Sequence, residues 1–135
     1  MIIKLDKTKN IQLSKHFSST EFICRCSDCT DNFIDDTLIQ KLELVRDSYG
    51  DVIVINSGFR CPTRNAAVGG VSSSTHCSGL GVDIRPKLNT LDELDKLYNI
   101  CEKIFNNIGD GRNKGFIHVD VRPLRSSGTK RKWIY

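Results

Sequence analysis

Two short segments alternate aliphatic and polar side chains with a period of two. In residues 81–85, Val82 and Ile84 alternate with Asp83 and Arg85; in residues 115–121, Ile117, Val119 and Val121 alternate with Phe116, His118 and Asp120. Successive strand side chains point to opposite faces, so each segment predicts a strand with one oily face and one polar face. Residues 52–56, VIVIN, are β-branched apart from the terminal Asn and lie between Gly50-Asp51 and Ser57-Gly58, which predicts a buried strand. Helical spacing appears twice. From Asp35 to Tyr49, Leu38, Ile39, Leu42 and Val45 share a face, with Asp35 or Asp36 as cap and Gly50 as stop. From Thr90 to Phe105, Leu94, Leu97, Tyr98, Cys101, Ile104 and Phe105 form the stripe, and Thr90 and Glu93 have capping-box spacing. Residues 62–70 predict one or two helical turns stopped by Gly69-Gly70, and residues 13–24 a loop with a short helix anchored by Phe17 and Phe22. The sum is an α+β domain, with helices packed mainly on one face of a small, mostly antiparallel sheet.

Length and composition narrow this little. A chain of 135 residues is one domain, able to bury roughly two-thirds of its unfolded surface, and 39% apolar with 27% charged residues is ordinary for a globular protein. We expect residues 1–135 to form a single domain: an N-terminal arm with a cysteine cluster over 13–34, a core over 52–121 and a basic tail over 122–135. No run is long and apolar enough to span a membrane, and the N-terminus has no apolar h-region, so the expectation is synthesis in the cytoplasm with any export indirect. The net charge is +4, but Arg122, Arg125, Lys130, Arg131 and Lys132 follow one another without an acid. That tail is either a solvated edge or a patch for a polyanion.

Of six cysteines, Cys24, Cys26 and Cys29 lie together, while Cys61, Cys77 and Cys101 stand apart. The cluster reads as reduced thiols or as a small structural zinc site completed by Cys61, although its spacing is not a standard pair of CxxC knuckles.

The chemistry concentrates where polar residues interrupt the strands. If the two alternating strands are neighbours, Asp83 and His118 project from one sheet face, and the glycine-containing loop folds His76 back over it. Two imidazoles and a carboxylate are a ligand set of catalytic zinc, with a fourth position left open. Singly, each has a bland reading: a satisfied histidine, a turn-capping Asp83, an Asp120 paired with an arginine. Their joint placement on otherwise ideal strands weighs against three coincidences. His16, in the irregular N-terminal region, stays outside the set.

The segments INSGFRCPTRNAAVGGVSSSTHCSGLGVDI and GFIHVDVR resemble the zinc D-Ala-D-Ala carboxypeptidase and murein endopeptidase family, which includes phage endolysins and shares the hedgehog/DD-peptidase fold. The likeness spans about residues 13–121: S-G-[FY]-R, then S-x-H-x6-D, then a strand with a second histidine. It implies His76, Asp83 and His118 as ligands of a zinc ion and Arg60 as the arginine that binds substrate or a developing oxyanion. It also implies a carboxylate that takes the proton of zinc's water and passes it to the leaving amine. Asp120, two residues beyond His118 on the same face, is the candidate for that base. Some members carry the acid three residues before the second histidine, where this chain has Gly115, and Asp110 in the preceding glycine-rich loop is the alternative. Ser74 orients a substrate carbonyl or the His76 loop, or is a plain turn serine.

The expected function is therefore a zinc peptidase, carboxypeptidase or endopeptidase, cutting peptidoglycan stem peptides as a monomeric phage or prophage cell-wall lysin does. A catalytically silent zinc-containing module of the same fold is the alternative. A nucleic-acid binder built on the cysteines and basic tail ranks last, because it leaves His76, Asp83, His118 and Asp120 unexplained.

Overall fold

The computed structural model describes residues 1–135. Five strands form the main sheet: β3 (Ile53–Ser57), β4 (Gly81–Pro86), β5 (Asn107–Gly111), β6 (Phe116–Asp120) and β7 (Arg131–Ile134), in the order β3-β4-β6-β5-β7. All pairs are antiparallel except β5 with β7. A separate hairpin-like pair joins β1 (Ile2–Leu5) to β2 (Asn32–Asp35). Thus the expected α+β class holds, with helices on one face of a mostly antiparallel sheet.

The helices form where local signals and burial agree. The first, α1 (Asp36–Tyr49), starts at Asp35, whose side chain accepts from the Thr37 amide, and stops at Gly50 with φ 79°. Its counterpart α3 (Leu91–Ile104) starts at Thr90, whose hydroxyl accepts from the Glu93 amide. Between them, α2 (Pro62–Ala67) is capped by the Cys61 sulfur and has proline at its start. Leu38, Ile39, Leu42 and Val45 of α1 and Leu94, Leu97 and Cys101 of α3 meet Val82, Ile84, Ile108, Ile117 and Val119 of the sheet in one core. Each such aliphatic side chain, fully buried, contributes about 1.5–3 kcal/mol of transfer free energy. Phe17 and Phe22 are also buried there, pinning the N-terminal arm, with their rings edge to face at 6.0 Å.

Two segments differ from the sequence reading. Residues 107–111, read as a glycine-rich loop, are β5, paired on both sides in the sheet interior. Asn and Gly favour strands poorly by themselves, and here the pairing of β6 and β7 around them prevails. Residues 131–134, read as part of a basic tail, are β7, and Arg131 donates to Asn107 Oδ1 and to the Pro123 carbonyl.

Candidate metal centre and its cleft

The pairing of β4 with β6 sets Asp83 directly opposite His118, and on their other face Val82 opposite Val119 and Ile84 opposite Ile117. The period-two pattern thereby sends the aliphatics into the core and the carboxylate and imidazole to the opposite side. His76 arrives on a single 3-10 turn, Thr75–Ser78, closed by Gly79 at φ 77°. A Cβ on Gly79 would stand 2.7 Å from the Phe33 carbonyl oxygen, so both conformation and space require glycine there. Gly81 answers a different need: a Cβ there would lie 2.2 Å from Thr75 Oγ1 and 2.9 Å from His118 Cε1.

The result is a convergence of ligand atoms from His76, Asp83 and His118, all within 4.8 Å of one another. His76 Nε2 lies 3.2 Å and His118 Nδ1 3.0 Å from the same oxygen, Asp83 Oδ1. The far nitrogen of each ring is also engaged. His76 Nδ1 is 2.8 Å from the Gly58 carbonyl oxygen, and His118 Nε2 is 2.9 Å from Asp120 Oδ2. A carbonyl and an ionised carboxylate only accept, so those far nitrogens carry the protons. In a neutral ring the near nitrogen then turns a lone pair toward Asp83 Oδ1, which has only lone pairs to offer. Three electron donors facing one another in a nearly dry place fit a cation held between them, with partners behind each ring that fix its tautomer and orientation. The His76 and His118 side chains are only 3% and 4% exposed, and Asp83 19%.

Burial by itself would raise the Asp83 pKa, but the His118 and His76 rings beside it outweigh that and hold the carboxyl well below its ordinary range. For His118, burial works to lower the pKa, and Asp120 and Asp83 together raise it above the usual imidazole value.

Asp120 does share the face of His118, yet it stands behind the ring, on the side away from Asp83. Its side chain is fully buried, Oδ1 accepts from the Arg122 amide and Nε, and Oδ2 accepts from Arg122 Nη2 and His118 Nε2. Burial raises its pKa, while the His118 and Arg122 hydrogen bonds lower it further, leaving it below the ordinary value. A carboxylate so saturated is a holder of His118 rather than a free proton acceptor. Asp110 is no substitute: Arg112 grips both its oxygens, at 2.9 and 2.7 Å, and holds its pKa low. Gly115, the departure from the family pattern, has φ 82°, and its carbonyl accepts from the Asn89 side chain.

The three donors open on a cleft of about 790 Å³. Arg60 and Ser74 both line it. The Arg60 Nε is buried without a hydrogen-bond partner, and Ser74 Oγ accepts from the His76 amide at 3.2 Å, bracing the turn that carries the imidazole. Lys114, Arg122, Arg125, Arg131 and Lys132 also line the cleft, and Asp83 is its one acid. The Asp83 Oδ1 takes both imidazoles while Oδ2 makes no hydrogen bond.

Sequence reasoning missed three contributors. Thr75 Oγ1 sits 3.3 Å from His118 Nε2. Trp133 of β7 places its ring 5.4 Å from that of His118, opposite Gly109, whose lack of a side chain leaves the space. Tyr135 packs on Phe116 at 4.9 Å and completes that wall. The strand pairing that brings Trp133 home is the signal, and it lies in a stretch whose charges dominate its pattern.

A small α+β domain with two imidazoles and one carboxylate gathered at the floor of a cationic cleft defines a class of metal-site hydrolases. The Peptidase M15 family profile matches residues 15–120, and the chain belongs to that family. It is accordingly a peptidase of a metal-dependent kind. No curated protein matches the chain.

Proposed function

We propose that this protein is a zinc peptidase that hydrolyses peptide bonds in peptidoglycan stem peptides, of the sort used by phage and prophage cell-wall lysins. The observation that carries this reading is the meeting of three lone-pair donors from His76, Asp83 and His118 at the bottom of a cleft otherwise rimmed by cations. Stem peptides carry several carboxylates, and a cationic cleft concentrates such substrates.

His76, Asp83 and His118 would hold a zinc ion through the atoms that converge here, His76 Nε2, Asp83 Oδ1 and His118 Nδ1. When bound, zinc polarises the scissile carbonyl and makes water a better nucleophile near neutral pH. Arg60, with Nε unpartnered, binds the substrate's terminal carboxylate or the oxygen that gains charge during attack. Ser74 and the Gly58 carbonyl keep His76 in place, and Asp120 does the same for His118.

The test is incubation of the zinc-loaded protein with purified peptidoglycan and with synthetic stem peptides, read by mass spectrometry. Release of free D-alanine marks a carboxypeptidase and internal fragments an endopeptidase; a chelator or His76→Ala should abolish either. Intact substrates after incubation with fully loaded protein would sink the reading. That Asp83 is the single acid of the cleft favours a second reading, a silent module that binds stem peptides; it predicts saturable binding without a product.

A further inference from the structure

A second cluster of metal-binding side chains lies outside the cleft. The sulfurs of Cys24, Cys26, Cys29 and Cys61 are all within 4.8 Å of one another, and those of Cys26 and Cys61 are 3.6 Å apart. None is in a disulfide. A disulfide would need about 2.05 Å. Four thiolates around one zinc, each about 2.3 Å from it, form a tetrahedron with edges of about 3.8 Å. The spacing observed matches the second arrangement.

The surroundings match it too. Each sulfur receives an N–H: Cys24 from the Cys61 amide at 3.4 Å, Cys26 from the Cys29 amide at 3.3 Å, Cys29 from Asn32 Nδ2 at 3.5 Å and Cys61 from the Arg64 amide at 3.4 Å. Lys7 Nζ adds a positive charge 3.5 Å from the Cys29 sulfur while donating to the Cys26 carbonyl at 2.7 Å. Four sulfurs that each accept a hydrogen bond, beside an ammonium and with no carboxylate among them, form a nest for anionic thiolates. An all-sulfur tetrahedral set suits zinc and rejects hard cations such as magnesium and calcium.

We propose that Cys24, Cys26, Cys29 and Cys61 bind a structural zinc, closed by its four thiolates, that fastens the N-terminal arm to the loop between β3 and α2. That loop supplies the cleft. Gly58, whose carbonyl holds His76, packs so closely on the arm that a Cβ would meet the Phe22 backbone at 2.6 Å, and the Phe59 amide donates to the Phe22 carbonyl at 2.8 Å. Arg60 is the next residue, and Cys61 follows. The thiolate zinc therefore fixes the segment that presents Arg60 and braces His76, from the side remote from substrate. It stands independently of which peptide the cleft accepts.

The experiment counts metal and reads thiols separately. Full-length protein purified with zinc should hold two zinc ions per chain, and the double variant His76→Ala, His118→Ala should keep one. Cobalt loaded into that variant should show the intense near-ultraviolet absorption of sulfur-to-cobalt charge transfer. In the unmodified protein, the half-exposed Cys26 and Cys29 should resist alkylation by iodoacetamide until zinc is stripped with a strong chelator, then react within the same assay time. Rapid alkylation of Cys26 and Cys29 in zinc-loaded protein, a mass two hydrogens lower that marks a disulfide, or iron in place of zinc would each overturn the assignment. Failure to cleave any peptide would leave all these readouts unchanged, so the two proposals fall separately.

Discussion

Replacing Asp120 by asparagine separates the two roles open to that carboxylate. In the structure both oxygens act as acceptors, Oδ2 from His118 Nε2 and Arg122 Nη2, Oδ1 from the Arg122 amide and Nε. An amide can put its oxygen on only one of those sides, so its NH2 must confront either the His118 N–H or the Arg122 donors. If it faces His118, the ring loses the acceptor that fixes its proton on Nε2; if it faces Arg122, that clamp breaks and the side chain loses its anchor. Loss of such a partner behind a metal-bound imidazole typically costs about 10–100-fold in metal affinity, or ~1.4–2.7 kcal/mol. Zinc affinity is measured by competition with a chromophoric chelator, and turnover on a stem peptide is then measured at saturating zinc. We expect zinc binding to weaken by that factor and kcat at saturation to stay within a few-fold of the unaltered protein. A general base would behave in the opposite way, with zinc affinity unchanged and kcat down by about 10²–10⁴-fold. That opposite outcome would refute the positioning role.

Three further outcomes follow from contacts on either side of the site. Gly81→Ala drives a methyl group into Thr75 and His118, an overpacking that costs about 1–3 kcal/mol in general; thermal melts should show the loss, and zinc content by elemental analysis should fall with it. Arg60→Ala should leave the metal content unchanged and lower kcat about 10²–10³-fold if the guanidinium meets the developing charge; an unchanged rate would remove it from the cleft chemistry. Asp110, whose pKa Arg112 depresses, contributes stability that is fully present above the ordinary carboxylate pKa of about 4 and is lost as pH falls through the lowered folded-state value. Urea melts of Asp110→Asn against pH should therefore show a flatter acid limb than the unaltered chain; identical limbs would refute the pairing.

The parts of the protein that the chain announced are those in which one local rule suffices. Alternation in residues 81–85 and 115–121 set the faces of two strands, and the pairing of Asp83 with His118 followed once those strands were neighbours. The caps at Asp35 and Thr90 behaved as their side chains dictate. β5 was illegible because Asn107, Gly109 and Gly111 have no preference for extended structure until partners on both sides impose it. Asp120 was placed on the correct face, but the side of the imidazole on which its carboxylate comes to rest was not legible, since period two gives only the direction of a Cβ. Arg122 decides that, the arginine partner that the plainer reading of Asp120 allowed for without saying which one.

The β5–β7 pairing divides labour along the chain. Every proposed zinc donor of the cleft falls between residues 76 and 118, within the span that matches the family profile, whereas Trp133 and Tyr135 come from beyond it. Gly109, paired with His118 on one side and Trp133 on the other, serves as the seat for those rings. Substitutions in the last strand can thus reshape what the cleft admits, at Tyr135 through the wall alone and at Trp133, whose ring lies against His118, through a donor as well.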